Sequence, residues 1–187
     1  ALAVINNNSN LKLTNVLLNE SRIGFVEVLN KMNCLISKSN ESIHNGEKVG
    51  DLTISSSNLK AIEIESETIP SIIDEVPILA VVAAFANGTT VFKNVEELKY
   101  KECDRLSAII HNLEAFGIKA YEKNNDLFVE GGKVKRMPKI TSFDDHRIAM
   151  AFTILSLTSF EKYELDNEQC VDISLPKFFN YLSEITK

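Results

Sequence analysis

The 187-residue chain is 44% hydrophobic and 25% charged with a formal net charge of -6, which suits a soluble globular protein holding one large domain or two small ones. That acidic balance argues against a duplex-binding face, which needs a phosphate-neutralising basic surface, but leaves room for a small anion held by a local cluster of Lys and Arg. Cys34, Cys103 and Cys170 lack CxxC spacing and point to reduced thiols in a cytoplasmic protein, not to a metal site, and the apolar stretches near 76–86 and 148–157 are too short to span a bilayer.

The chain repeats a pattern. Its first copy opens on an alternating strand: Leu11 and Leu13 face one way, Lys12 and Thr14 the other, as expected where one sheet face is wet. The strand ends in Asn15-Val16. A charged segment ending at Arg22, an amphipathic helix and two strands follow, the last with Leu52 and Ile54 opposed to Thr53 and Ser55. "IPSIIDEVPILAVVAAFANG" (69–88) then predicts a helix that is apolar on every face and therefore interior. The second copy runs in the same order: a strand ending in Asn94-Val95, a charged segment ending at Arg105, and a helix. That helix has Leu106, Ile109, Ile110, Leu113 and Phe116 at helical spacing and Gly117 after them. Two strands follow, joined by Asn124-Asn125, a tight-turn pair. "SFDDHRIAMAFTILSL" (142–157) supplies the second all-apolar helix. A partial third copy closes the pattern, with a strand in "KYELDN" (162–167) and a helix in "LPKFFNYLSEI" (175–185) carrying Pro176 in its first turn.

Buried helices surrounded by half-wet sheets invert the doubly wound arrangement. The expected fold is α/β, of α+β type: pseudo-threefold repeats with helices inside, sheets outside, and buried helices that share a direction. Asp74-Glu75 tops one buried helix and Asp144 to Arg147 tops the other, while Lys101, Glu102 and Arg105 sit at the start of the second amphipathic helix. Helix N-termini present free N–H groups and partial positive charge. Lys and Arg crowded there suggest a small, highly charged ligand with acid–base chemistry nearby.

Five motifs carry a family resemblance. "KECDR" (101–105), "DHRIAM" (145–150), "IPSIIDEVPILAVVAAFANGTT" (69–90), "NESRIGF" (19–25) and "SLPKFFNYL" (174–182) stand in the order of the EPSP synthases, the 3-phosphoshikimate 1-carboxyvinyltransferases. The resemblance implies an enolpyruvyl-transferase-like inside-out α/β barrel domain built of βαβαββ-type repeats. It covers only the family's C-terminal part, so residues 1–187 are expected to form one domain of a two-domain enzyme whose N-terminal domain is the missing partner.

The implied reaction transfers the enolpyruvyl group of phosphoenolpyruvate to the 5-hydroxyl of shikimate 3-phosphate and expels phosphate, without metal or organic cofactor. Such chemistry needs positioned acids and bases and cationic clamps for several negative charges. By resemblance, Asp74 is the candidate base, Lys101 the candidate acid or phosphate ligand, and Glu102 the proton carrier to the methylene carbon. Arg105 and Arg147 are the clamps for phosphoenolpyruvate, and His146 occupies the place of a site histidine. Asp145 reads as an N-cap, Cys103 as a small packed residue, His44 and His111 as surface residues, and Arg22 as a surface or inter-domain residue. As charged cleft residues, Arg105 and Arg147 are expected to contribute little to the core. The chain departs from the family at Ile173, where many members have Lys, at Cys103, where they have Ser or Thr, and at Asn33, where they usually have Gly. The rival readings are a UDP-N-acetylglucosamine enolpyruvyl transferase domain and a non-catalytic binding module of the same fold.

Overall fold

The computed structural model describes residues 1–185. A short helix α1 (Leu2–Ile5) precedes β1 (Asn10–Leu17), a 3-10 turn at Glu20–Arg22, and the amphipathic helix α2 (Gly24–Lys31). Strands β2 (Leu35–His44) and β3 (Glu47–Ser55) complete an antiparallel sheet in the order β1-β3-β2. The second copy repeats this plan: β5 (Thr89–Phe92), a 3-10 segment at Glu96–Tyr100, α5 (Arg105–Ala115), β6 (Ala120–Lys123) and β7 (Asp126–Glu130). Its strands stand in the equivalent order β5-β7-β6. A two-residue strand β4 (Glu63–Ile64), invisible to periodicity at that length, adds to β5 in parallel.

The repeat extends to individual hydrogen bonds. The Asn-Val pairs expected to end the first strand of each copy do not: β1 shifts register between Leu13 and Val16 and runs on to Leu17, while β5 stops at Phe92. Asn15 and Asn94 still share the left-handed region, at φ 59° and 50°. Asparagine tolerates that conformation better than other residues with a Cβ. Their N–H groups donate to Asp51 Oδ1 at 3.1 Å and Asp126 Oδ1 at 2.8 Å. Each aspartate also faces a lysine, Lys12 at 2.9 Å and Lys93 at 3.4 Å. The hairpin tips follow turn chemistry: Asn45-Gly46 and Asn124-Asn125 all have positive φ, which two-residue type I′ turns require.

Between the sheets lie α3 (Ile69–Ile72), a 3-10 turn at Ile73–Glu75, α4 (Val76–Ala83) and α6 (His146–Phe160). Every residue of α4 except Ile78 is buried, as its unbroken apolar sequence requires. Phe116 on the α5 side stacks on Phe152 of α6 with centroids 6.3 Å apart. Gly131, at the end of β7, lets the second sheet close on the end of α4: an added Cβ would lie 1.7 Å from the Ala86 carbonyl oxygen. Helices inside and sheets outside are thus the observed arrangement.

The third copy is only partly realised. The strand expected at 162–167 is a single parallel bridge, Ile140 to Leu165, because no neighbouring strand among the described residues extends the ladder. The last helix, α7 (Phe178–Ile185), starts two residues beyond Pro176. On the first sheet, Leu13 is 42% exposed and lines an apolar groove of about 460 Å³ shared with Phe25, Ile154 and Phe178.

Candidate active site

Three helix starts meet at one end of the domain. Asp74 lies in the 3-10 turn before α4, Arg105 is the first residue of α5, and Asp145 caps α6. Asp104 caps α5 by accepting from Ser107 N at 3.0 Å. Asp145 caps α6 through Oδ1, which accepts from Arg147 N at 2.8 Å and Ile148 N at 3.2 Å. The loop leading to Asp145 is held tightly. Buried Asn112 of α5 accepts from Thr141 N and donates to Thr141 O, at 3.1 and 2.9 Å, and Ser142 N donates to Asp166 Oδ1 at 2.9 Å. Phe143 and Asp144 then both take positive φ, 54° and 57°, a conformation that costs energy for residues with a Cβ and persists only where its surroundings enforce it.

Arg105 is the hub. Its side chain is 1% exposed, and all three of its guanidinium nitrogens meet carboxylates. Nε donates to Asp145 Oδ2 at 2.7 Å, NH1 to Asp74 Oδ1 at 3.0 Å, and NH2 to Glu102. Burial works against the charge, but the hydrogen bond and charge of Asp145, with Glu102 and Asp74, hold the guanidinium more firmly protonated than usual. Arg147 approaches from the other side. Its NH1 donates to the Asp74 carbonyl at 3.0 Å and its NH2 reaches Asp74 Oδ2 at 3.3 Å. Asp74 is therefore held between two arginines, one buried and one 33% exposed.

Of the residues singled out from sequence, Asp74, Glu102, Arg105 and Arg147 form this one cluster. Lys101 flanks it but pairs with Glu97, at 2.5 Å. His146 is buried as the first residue of α6, with no side-chain hydrogen bond among the described residues. The Cys103 thiol, half-buried, donates to Asp145 Oδ2 at 3.8 Å. Burial first, and then the Asp145 charge, push it up to about 12, so it is a protonated donor at neutral pH. His111 is exposed and meets Phe143 edge-on at 5.5 Å. Ile173, in the lysine position, is 80% exposed and brings no charge.

Two cavities flank Asp74. One of about 190 Å³ lies between α4 and α6 against Arg147, Met150 and Ile154. The other, about 360 Å³, is polar and bounded by Arg22, Ser71 and Glu75. Arg22, expected from sequence to be a surface or inter-domain residue, thus lines a cavity beside Asp74, and its place as the repeat equivalent of Arg105 is the sequence signal for that position. Among the described residues no group of His, Cys, Asp and Glu side chains has metal-holding geometry, and no helix is long and apolar enough to cross a membrane.

The EPSP synthase (3-phosphoshikimate 1-carboxyvinyltransferase) family matches residues 1–182. The chain belongs to this family. It is 42% identical to the 3-phosphoshikimate 1-carboxyvinyltransferase of Clostridium tetani over 98% of its length, and 43% identical to that of Petrotoga mobilis over 98%. It spans 42% and 43% of those two proteins. Among solved structures, EPSP synthase from Acinetobacter baumannii superimposes with a TM-score of 0.91 at 30% identity, covering 98% of this chain and 43% of that one. The enolpyruvyl transferase NikO from Streptomyces tendae shares the fold, with a TM-score of 0.68 at 17% identity over 98% of this chain and 40% of that one. The inside-out arrangement is therefore a family trait, common to EPSP synthases and a more distant enolpyruvyl transferase.

Proposed function

We propose that the chain forms the C-terminal domain of a two-domain, cytoplasmic enolpyruvyl transferase. In this reading it supplies half of a cleft that joins phosphoenolpyruvate to the 5-hydroxyl of shikimate 3-phosphate and releases phosphate. The observation that carries the reading is the pair of arginines closed on one carboxylate, Arg105 and Arg147 on Asp74, where helices begin. Two guanidinium forks set around a common point suit the carboxylate and phosphate of a small dianion. Without substrate, Asp74 and Glu102 occupy those forks. A bound anion replaces them and frees Asp74 to accept a proton.

The transfer proceeds in two halves. In the addition, Asp74 takes the hydroxyl proton as the oxygen attacks the enol carbon, and Glu102 carries a proton to the methylene carbon. In the elimination, Glu102 takes back a proton from the new methyl group as the carbon–oxygen bond to phosphate breaks, Asp74 passes the hydroxyl proton to the departing phosphate, and Lys101 neutralises the charge that remains. For Lys101 this requires exchange of Glu97 for phosphate, which is cheap for a pair whose carboxylate is 59% exposed.

The test is phosphate release by the full-length enzyme with shikimate 3-phosphate or UDP-N-acetylglucosamine as acceptor. Release is expected with the first only, and Asp74→Asn and Glu102→Gln should each lower kcat by about 10²–10⁴. On this reading the 187-residue chain alone should not turn over, since the other face of the cleft and its positioning contacts belong to a second domain. Unimpaired Asp74→Asn enzyme, or turnover by the chain alone near the full-length rate, would overturn the proposal.

A further inference from the structure

Behind the residues that face the cleft lies a carboxylate that sequence assigns only to capping. Asp145 is 0% exposed, and it divides its two oxygens between two tasks. Oδ1 takes the backbone N–H groups of Arg147 and Ile148, while Oδ2 takes Nε of Arg105 and the Cys103 thiol. We infer that Asp145 is a positioning residue whose buried carboxylate locks the Arg105 guanidinium to the start of α6, so that both site arginines hold one fixed geometry around Asp74. The inference rests on the transfer reading given above.

The connectivity supports it. Starting at Asp74, the contacts run through Arg105 NH1 to its Nε, through Asp145 to the backbone of Arg147, and through the Arg147 guanidinium back to Asp74. The loop is closed, and Asp145 is its innermost member. A cap alone needs only one oxygen, and a serine would serve. A planar guanidinium held at Nε by a fixed acceptor has its other two nitrogens aimed by geometry, here at Asp74 and Glu102, the carboxylates that a substrate anion displaces in the transfer reading. The acceptor is itself held, because Asn112 and Asp166 pin the loop that carries it. A supported carboxylate behind a substrate-facing cation is how a site keeps the sub-ångström placement that fast chemistry needs.

Asp145→Asn in the full-length enzyme separates the two tasks. Asparagine ranks with aspartate as an N-cap, so α6 should persist and the circular dichroism should stay near wild type. The anion that fixes Arg105 is gone, so kcat/KM for phosphoenolpyruvate should fall about 10²-fold or more. The Arg105 Nε–H resonance should shift and exchange faster with water. Cys103, resolved by peptide mass mapping, should alkylate faster while Cys34 and Cys170 do not change. A kcat/KM within twofold of wild type, an unmoved Nε resonance, or parallel acceleration of all three thiols would overturn the inference. If Asp145→Asn does not fold, Arg105→Lys decides. It keeps the charge and the cap but loses the fork, and wild-type kcat/KM in that variant would refute positioning. If the wild-type enzyme shows no enolpyruvyl transfer, the functional reading fails, while the resonance and the labelling still judge the Asp145–Arg105 lock.

Discussion

Replacing Arg105 by alanine should unfold this domain far more readily than its place in a charged motif suggests. Its side chain is 1% exposed and that of Asp145 0%, so the substitution strands a carboxylate in the interior. Breaking a buried pair by removing one partner costs about 3–5 kcal/mol, against a total stability of roughly 5–15 kcal/mol for a domain. For a chain of this size about 1 kcal/mol moves Tm by roughly 2–4 °C, so the melt should drop by roughly 6–20 °C. Arg147→Ala is the control. Its side chain is 33% exposed and its carboxylate partners, Asp74 and Glu75, 45% and 39%, and such pairs contribute about 0–1 kcal/mol. The sequence-based expectation that both alanine variants leave the melt largely intact is therefore kept for the half-exposed Arg147 and revised for the buried Arg105. Urea and thermal unfolding of both variants at neutral pH measure the difference. Adding Asp145→Asn to Arg105→Ala removes the stranded charge while keeping the cap, and should return part of the loss, with a coupling of about 1–3 kcal/mol. An Arg105→Ala domain within about 1 kcal/mol of wild type, or a double variant with no recovery, would refute the reasoning.

Further outcomes follow from the same contacts. Phosphate or phosphoenolpyruvate added to the isolated chain should shift amides at 101–105 and 145–148 first, with a Kd on the order of 1 mM or weaker, about -4 kcal/mol, because the anion must displace Asp74 and Glu102; shifts confined to other surfaces would count against the site. The Asp51 carboxyl, held down to about 2 by hydrogen bonds from Asn40 and Lys12 and from the Asn15 backbone, titrates near 3.9 when unfolded. Its stabilising contribution is thus complete above about pH 4 and lost as pH falls through 2. Asp51→Asn should flatten that part of the acid-unfolding curve, and an unchanged curve would dismiss the assignment.

Much of this architecture was legible because hydrophobic period and turn chemistry agree locally. The uninterrupted apolar run through Val76–Ala83 could only be an interior helix, and the two Asn-Val pairs marked the repeat, although neither pair ends its strand. The misses have physical causes. Glu63–Ile64 is too short to show alternation, and Lys162–Asn167 alternates without a partner strand to pair with. Asp74, Glu102, Arg105 and Arg147 were identified through motif resemblance, yet sequence spacing could not reveal that Arg105 lies at the bottom of the cluster. Nor could it reveal the second task of Asp145, because a cap and an ion-pair partner are both written as one aspartate.

The meeting of three helix starts has a consequence for how this site can evolve. Each helix start carries up to roughly half a positive charge from its peptide dipoles, fading within the first turn, and Asp104 and Asp145 already face it at α5 and α6. No codon change removes that contribution while the helices stand. On the proposed reading, mutation can therefore retune which anion fits, or abolish proton transfer, far more easily than it can erase the backbone share of the site. On the same reading, a lineage that lost the chemistry would still inherit the three dipoles, available for a different anion once the carboxylates around them are redrawn.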